Sequence, residues 1–135
     1  LAGTGAKLGI TPAKLGIVYG LADTKRLVDA VGASKAKDIL FTGRIMGASE
    51  AQAIGLVDEM HEDVANAVAD KAAMIATNSQ WSVRKSKEIL RLILSGTLAE
   101  TEETSRWHVE GMEMDDFREG RAAFMEKRKP DFPFR

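Results

Sequence analysis

Between Thr11 and Leu27 the chain reads TPAKLGIVYGLADTKRL, and within that loop region Tyr19 and Asp23 are the residues able to take part in acid or base chemistry. A tyrosine hydroxyl can donate or accept a hydrogen bond, and an aspartate can move a proton or cap a helix. Near the other end, Lys127 and Arg128 form a cationic pair after a helical pattern, suited either to an anion or to the negative end of a helix dipole. His61 and His108 are too far apart in sequence to make a metal site by themselves, and no metal is expected. The absence of cysteine excludes disulfides, thiolate nucleophiles and Cys-ligated metal, and fits a reducing compartment, here read as the cytoplasm.

The 135 residues suit a single core, and the 19 basic and 20 acidic residues are spread along the chain. No field strong enough to gather nucleic acid or an anionic membrane results. No apolar run approaches the roughly 20 residues that span a bilayer. The opening LAGTGAKLGIT lacks an initiator Met and a charged leader and enters directly into apparent sheet, which predicts that the chain starts inside a larger fold.

The elements that must hold these residues follow from periodicity. AKLGI and KLGIV read as brief strands, with Pro12 ending any ladder between them. Asp23 reads as the N-cap of a helix whose Leu27, Val28 and Val31 share a face and which Gly32 stops. Ser34 caps a second helix with Ala36, Ile39 and Leu40 inward. TGRIM turns into a strand, Ser49 and Gln52 read as a capping box for a short helix ended by Gly55, and LVDEM returns to strand. From Asp63 onward the pattern is helical, with one stripe at Val64, Val68, Ala72 and Ile75 and another at Val83, Ile89, Leu90, Ile93 and Leu94, broken by ATNSQW and SGT. Leu98 to Met114 reads as a helix at a subunit boundary, and Phe124 as core or interface packing. The organisation is α/β over 1–62, followed by a helical region over 63–135.

Three stretches, GITPAKLGI, FTGRIMGASEAQAIGLVDEM and EGRAAFMEKRKPDF, together resemble the second half of the crotonase, or enoyl-CoA hydratase/isomerase, superfamily. The likeness covers nearly the whole chain. It implies the C-terminal part of a ββα spiral followed by a helical oligomerisation region, usually in trimers or hexamers. It also implies chemistry on an acyl-CoA thioester, in which two backbone N–H groups hold an enolate oxygen and no cofactor beyond the CoA substrate is used. Those donors belong mostly to the family's first half, so the N-terminal half of the same protein is an expected partner and the chain alone is expected to be inactive.

In hydratases and isomerases of this family the residue after the motif's Pro is usually a Glu acting as general acid or base; here Pro12 is followed by Ala13. The variant TPAKLGIVYGL is most similar to the methylmalonyl-CoA decarboxylase branch, where a tyrosine stands at the place of Tyr19 in the active site. The resemblance therefore implies Tyr19 as the catalytic residue and Pro12, Ala13, Gly20, Leu21 and Asp23 as substrate pocket. Hydration or isomerisation with a carboxylate from the other half, and a non-catalytic assembly subunit, are the alternatives. The same resemblance places Lys127, with Arg128 beside it, on the CoA phosphates or adenine end, and an aromatic group near Trp107 or His108 against the adenine. Plainer readings stand beside these: Ala13 as a small core residue, Tyr19 as a loop tyrosine bonded to solvent or backbone, Asp23 as a helix cap, and Lys127–Arg128 as a solvated charge run.

Overall fold

The computed structural model describes residues 1–133. Its first unit, Leu1–Ala69, holds two small sheets and three helices. Strand β1 (Ala2–Gly3) pairs in parallel with β4 (Met60–His61), Ala2 opposite Met60. Strand β2 (Lys7–Gly9) pairs antiparallel with β3 (Ile45–Gly47), Leu8 opposite Met46.

Between β2 and β3 lie α1 (Pro12–Leu15) and α2 (Leu21–Thr42). Pro12 does not close a ladder, as the sequence led us to expect: it opens α1, because a proline's missing N–H and fixed φ suit the first helical position. KLGIV is correspondingly no strand, since Gly16 leaves α1 in the left-handed region at φ 68 and Ile17 to Gly20 run on as loop. Helix α2 starts at Leu21 with Gly20 as its N-cap, so Asp23 is not the cap but an acid in the first turn. Gly32 interrupts α2 as anticipated, at φ 76 and ψ 159, a conformation that glycine alone adopts readily.

Helix α3 (Ala48–Ala53) has Gly47 as N-cap and no side-chain cap bond, so the Ser49–Gln52 capping box does not form. β3 runs straight into the helix two residues early, and the Gln52 amide instead donates to the Asp58 carbonyl at 3.2 Å. Gly55 does end the turn, at φ 80, where an added Cβ would meet the Ala30 carbonyl oxygen at 3.2 Å. After it only Met60–His61 is ladder, while Val57 turns into the core. That core is Leu27, Ala36, Ile39, Met46, Ala51 and Val57, with Val28, Val31 and Leu40 packed at its edge.

The second unit, Asp70–Arg135, is helical; the division falls within α4 (Val64–Ala76), whose start Asp63 caps by accepting from the Asn66 N–H at 3.0 Å. α5 (Gln80–Leu94) begins at Ser79, whose hydroxyl accepts from the Ser82 N–H at 3.2 Å. α6 (Glu102–Glu113) has a reciprocal capping box of Thr101 and Thr104, and α7 (Asp115–Glu126) follows after Met114 alone. Gly111 lets α6 pass close to α5, since a Cβ there would lie 2.7 and 2.8 Å from two ring carbons of Trp81. Among the described residues no helix is long and apolar enough to cross a membrane.

Candidate functional site

In the first unit, the residues singled out between Pro12 and Asp23 occupy one continuous feature: a one-turn helix, a loop and the start of α2. Pro12 is buried and anchors the turn, while Ala13 is exposed within this chain and lies outside its core cluster. The loop backbone is pinned where the Ile17 N–H donates to the Pro12 carbonyl at 3.2 Å. Beyond that pin the side chains stand open: Val18 is 95% and Leu21 87% exposed, and Tyr19 39%. Apolar side chains this open form a surface built to meet something else. Gly20 N-caps α2, its carbonyl accepting from the Thr24 N–H at 3.0 Å.

Asp23 is spoken for by Arg26, whose Nη1 donates to Oδ1 at 2.8 Å. Both side chains are largely exposed, so the pair adds little stability. Tyr19 is thus the one hydroxyl between Pro12 and Leu21, and Lys14 the one cation there.

In the second unit Lys127 is the C-cap of α7, in the left-handed region at φ 54. Its side chain meets no partner among the described residues and is available to an anion. Arg128 is not comparably available. Its Nη2 donates to Glu119 Oε2 at 2.8 Å, its Nε to Glu126 Oε2 at 2.6 Å and its Nη1 to the Lys129 carbonyl at 3.2 Å. Those bonds, to Glu119 first, raise the Arg128 guanidinium above its usual range and hold Glu119 down to about 2. A phosphate would have to displace a carboxylate from Arg128.

Trp107 and His108 line a groove of about 920 Å³ among α5, α6 and α7, with Ile89, Ile93, Met112 and Phe117 among its walls. Lys85 Nζ sits 4.2 Å above the Trp107 ring, a cation–π contact that occupies one face of that ring. Neither Lys127 nor Arg128 lines that groove. Phe124 is 82% exposed, which excludes it from this chain's core.

Sequence periodicity missed one charged cluster. Arg44 reaches Asp38 Oδ2 through Nη2 at 2.8 Å and Nε at 3.1 Å, and Glu50 Oε2 through Nη1 at 2.9 Å. The Arg44 bonds lower the Glu50 carboxyl and, with the Asp38 bonds, raise the guanidinium. The two acids lie six residues either side of Arg44, and because the turn between α2 and α3 intervenes no helical spacing announces them. Among the described residues no group of His, Asp or Glu could hold a metal ion.

The family model for enoyl-CoA hydratase/isomerase matches residues 1–134. The chain belongs to the enoyl-CoA hydratase/isomerase family. It is 37% identical over 134 residues to a protein of Mycobacterium leprae named "probable enoyl-CoA hydratase", covering 96% of this chain and 52% of that one. A short-chain-enoyl-CoA hydratase of Clostridioides difficile is 43% identical over 94 residues, 68% of this chain and 61% of its own. The structure of an enoyl-CoA hydratase/isomerase family protein from Hyphomonas neptunium superposes with a TM-score of 0.87 at 45% identity, covering 96% of this chain and 50% of its own. The mixed α/β architecture is thus that of the crotonase fold, and the chain spans about half the length of the relatives it matches.

Proposed function

We propose that the protein acts on an acyl-CoA thioester through a stabilised enolate, and that the reaction is decarboxylation of a malonyl-type thioester such as methylmalonyl-CoA. The observation that carries this reading is the pairing of an exposed Ala13, where an acid or base would stand in a hydratase, with Tyr19 on the open loop six residues on. A glutamate about 4 Å from the substrate's own carboxylate would repel it by about 4 kcal/mol at an effective dielectric near 20; alanine removes that repulsion. Decarboxylation needs no base: the bond from the α-carbon to the carboxylate breaks, CO2 leaves, its electron pair becomes the enolate, and a proton from solvent completes the product. Tyr19 donates to and orients the departing carboxylate, and Pro12, Gly20, Leu21 and Asp23 shape the pocket around it. Backbone N–H groups outside this chain hold the enolate oxygen, so this chain alone is inactive. Lys127 meets the CoA phosphates, with Arg128 bound chiefly to its own carboxylates. No cofactor is required.

The names of the relatives favour a second reading, hydration or isomerisation of an enoyl-CoA with a carboxylate supplied from outside this chain. The exposed apolar faces of α4 and α5 fit assembly into a homo-oligomer, trimer or hexamer, under either reading. They fit equally a subunit that assembles without catalysing. The deciding experiment measures CO2 release from methylmalonyl-CoA by the full-length protein, beside Tyr19→Phe and a crotonyl-CoA hydration control. Release that falls by 10²-fold or so in the variant is the outcome anticipated for a lost orienting donor. Hydration without CO2 release sinks the decarboxylase reading. Neither activity, with no acyl-CoA binding but normal oligomers, leaves the assembly subunit.

A further inference from the structure

Little holds α1 to the rest of the first unit. Of its side chains only Pro12 is buried, and neither α1 nor the loop after it contributes to the core cluster. Yet Lys14, an exposed residue, has its stem laid across Gly43, the C-cap of α2. A Cβ placed on Gly43 would lie 3.1 Å from Lys14 Cγ and 3.5 Å from both Cδ and Cε. Three successive methylenes therefore follow the open face of one glycine, the way a long basic side chain covers a surface while its head stays wet.

Gly43 is fitted to this twice over. Its φ of 55 is the left-handed geometry that closes a helix, and its missing Cβ is what admits the stem. The Lys14 ammonium, one bond past Cε, comes to the carboxyl end of a helix whose last turn has no basic residue of its own, where a cation is favoured. Among the described residues the Lys14 side chain makes no hydrogen bond or ion pair, so no carboxylate explains why it lies there.

We infer that Lys14 is a positioning residue for the proposed reaction: its stem, lying across Gly43, fixes α1 against α2 and thereby aims the loop that carries Tyr19. The chain of rigid parts is short. Lys14 belongs to α1, Gly16 turns the backbone out of it, the Ile17 N–H is bonded back to Pro12, and Tyr19 follows two residues on. The assignment rests on the reading of Tyr19 as the orienting group, but the placement of that side chain is measurable without any turnover.

The test uses the full-length protein labelled with 3-fluorotyrosine, the Tyr19 fluorine resonance being assigned by its loss in Tyr19→Phe. Lys14→Ala removes the stem, and Lys14→Met keeps an unbranched stem of similar length without the charge. The Tyr19 resonance is expected to shift and broaden in Lys14→Ala and to return in Lys14→Met. In parallel, kcat for CO2 release falls about tenfold or more in Lys14→Ala with KM little changed, as misplacement of a reacting group predicts, and recovers in Lys14→Met. Thermal stability is unchanged in both, because α1 lies outside the core cluster. An unmoved resonance in Lys14→Ala overturns the inference, and so does a resonance that moves equally in Lys14→Met. Absence of turnover in the unsubstituted protein, with the resonance still moved only by Lys14→Ala, would sink the decarboxylase reading and leave the positioning role standing.

Discussion

In the first unit Leu27, Ala36, Ile39, Met46, Ala51 and Val57 close on one another, whereas in the second Leu90, Ile93 and Leu94 of α5 stay 58, 54 and 60% exposed. Both sets obey the same rule of spacing. The difference is that the first has two sheets and a returning helix to cover it, and the second has an amphipathic helix of which these side chains stay more than half exposed among the described residues. Among the described residues of the second unit the buried hydrophobic ones are Trp107 and Ala123, with Ser79 and Asp116 as buried polar company. Periodicity thus identifies which face of a helix is apolar and says nothing of what covers it.

The sharpest way to break this comparison is to cut equal volumes from each side. Ile39, 1% exposed, is the largest fully buried side chain among the described residues, and Ile39→Ala is expected to destabilise by about 2–5 kcal/mol through lost transfer energy and a cavity. The same truncation of the exposed Ile93 removes far less buried surface within this chain. Urea unfolding of the full-length protein compares the two. A loss at Ile93 as large as that at Ile39 would show that the α5 face is as fully covered in the whole protein as the core is here.

Next in size is the close approach of α5 and α6. In a helix interior Gly→Ala ordinarily gains up to about 1 kcal/mol, so Gly111→Ala should stabilise on propensity alone. The new Cβ would instead meet two Trp81 ring carbons at 2.7 and 2.8 Å, and a ring has no flexible end to move aside. Overpacking of this kind costs about 1–3 kcal/mol, so the sign reverses. Pairing Gly111→Ala with Trp81→Leu should recover most of the loss in a thermal melt; a loss that persists would place its cause elsewhere than in the ring.

These contrasts bear on what could be read beforehand. The inward faces of α2 were legible because Leu27, Val28 and Val31, then Ala36, Ile39 and Leu40, follow helical spacing that the fold honours. The caps were not. Asp23 and Ser49 are good capping residues, yet Gly20 and Gly47 take the positions because the preceding loop and strand feed the helices early, a constraint set by tertiary connection and not by local preference. For the site, Tyr19 came into view by its type and Ala13 only through the family resemblance, but the stem of Lys14 over Gly43 did not, since 29 positions separate the two. Arg128 shows the opposite limit: its charge advertised an anion site, and Glu119, nine residues earlier, had already claimed it.

That last pair yields the smallest expected effect. The Arg128 guanidinium, and after it the Asp131 N–H, lower Glu119 from 4.5 to about 2. A carboxyl whose folded value lies below its unfolded one contributes stability that is fully present above the unfolded value and disappears as pH falls through the folded one. The Glu119 contribution is therefore intact above about pH 4.5 and lost progressively down to about pH 2. Glu119→Gln removes the titration while keeping the shape, so the gap in melting temperature between the unsubstituted protein and the variant should be constant near neutrality and shrink across that acid window. Because the pair is exposed the gap is small and narrows further in high salt. A gap that stays constant from neutral pH to pH 2 would mean that Glu119 holds the C-terminal turn by hydrogen bonds its amide can replace, with its charge contributing nothing.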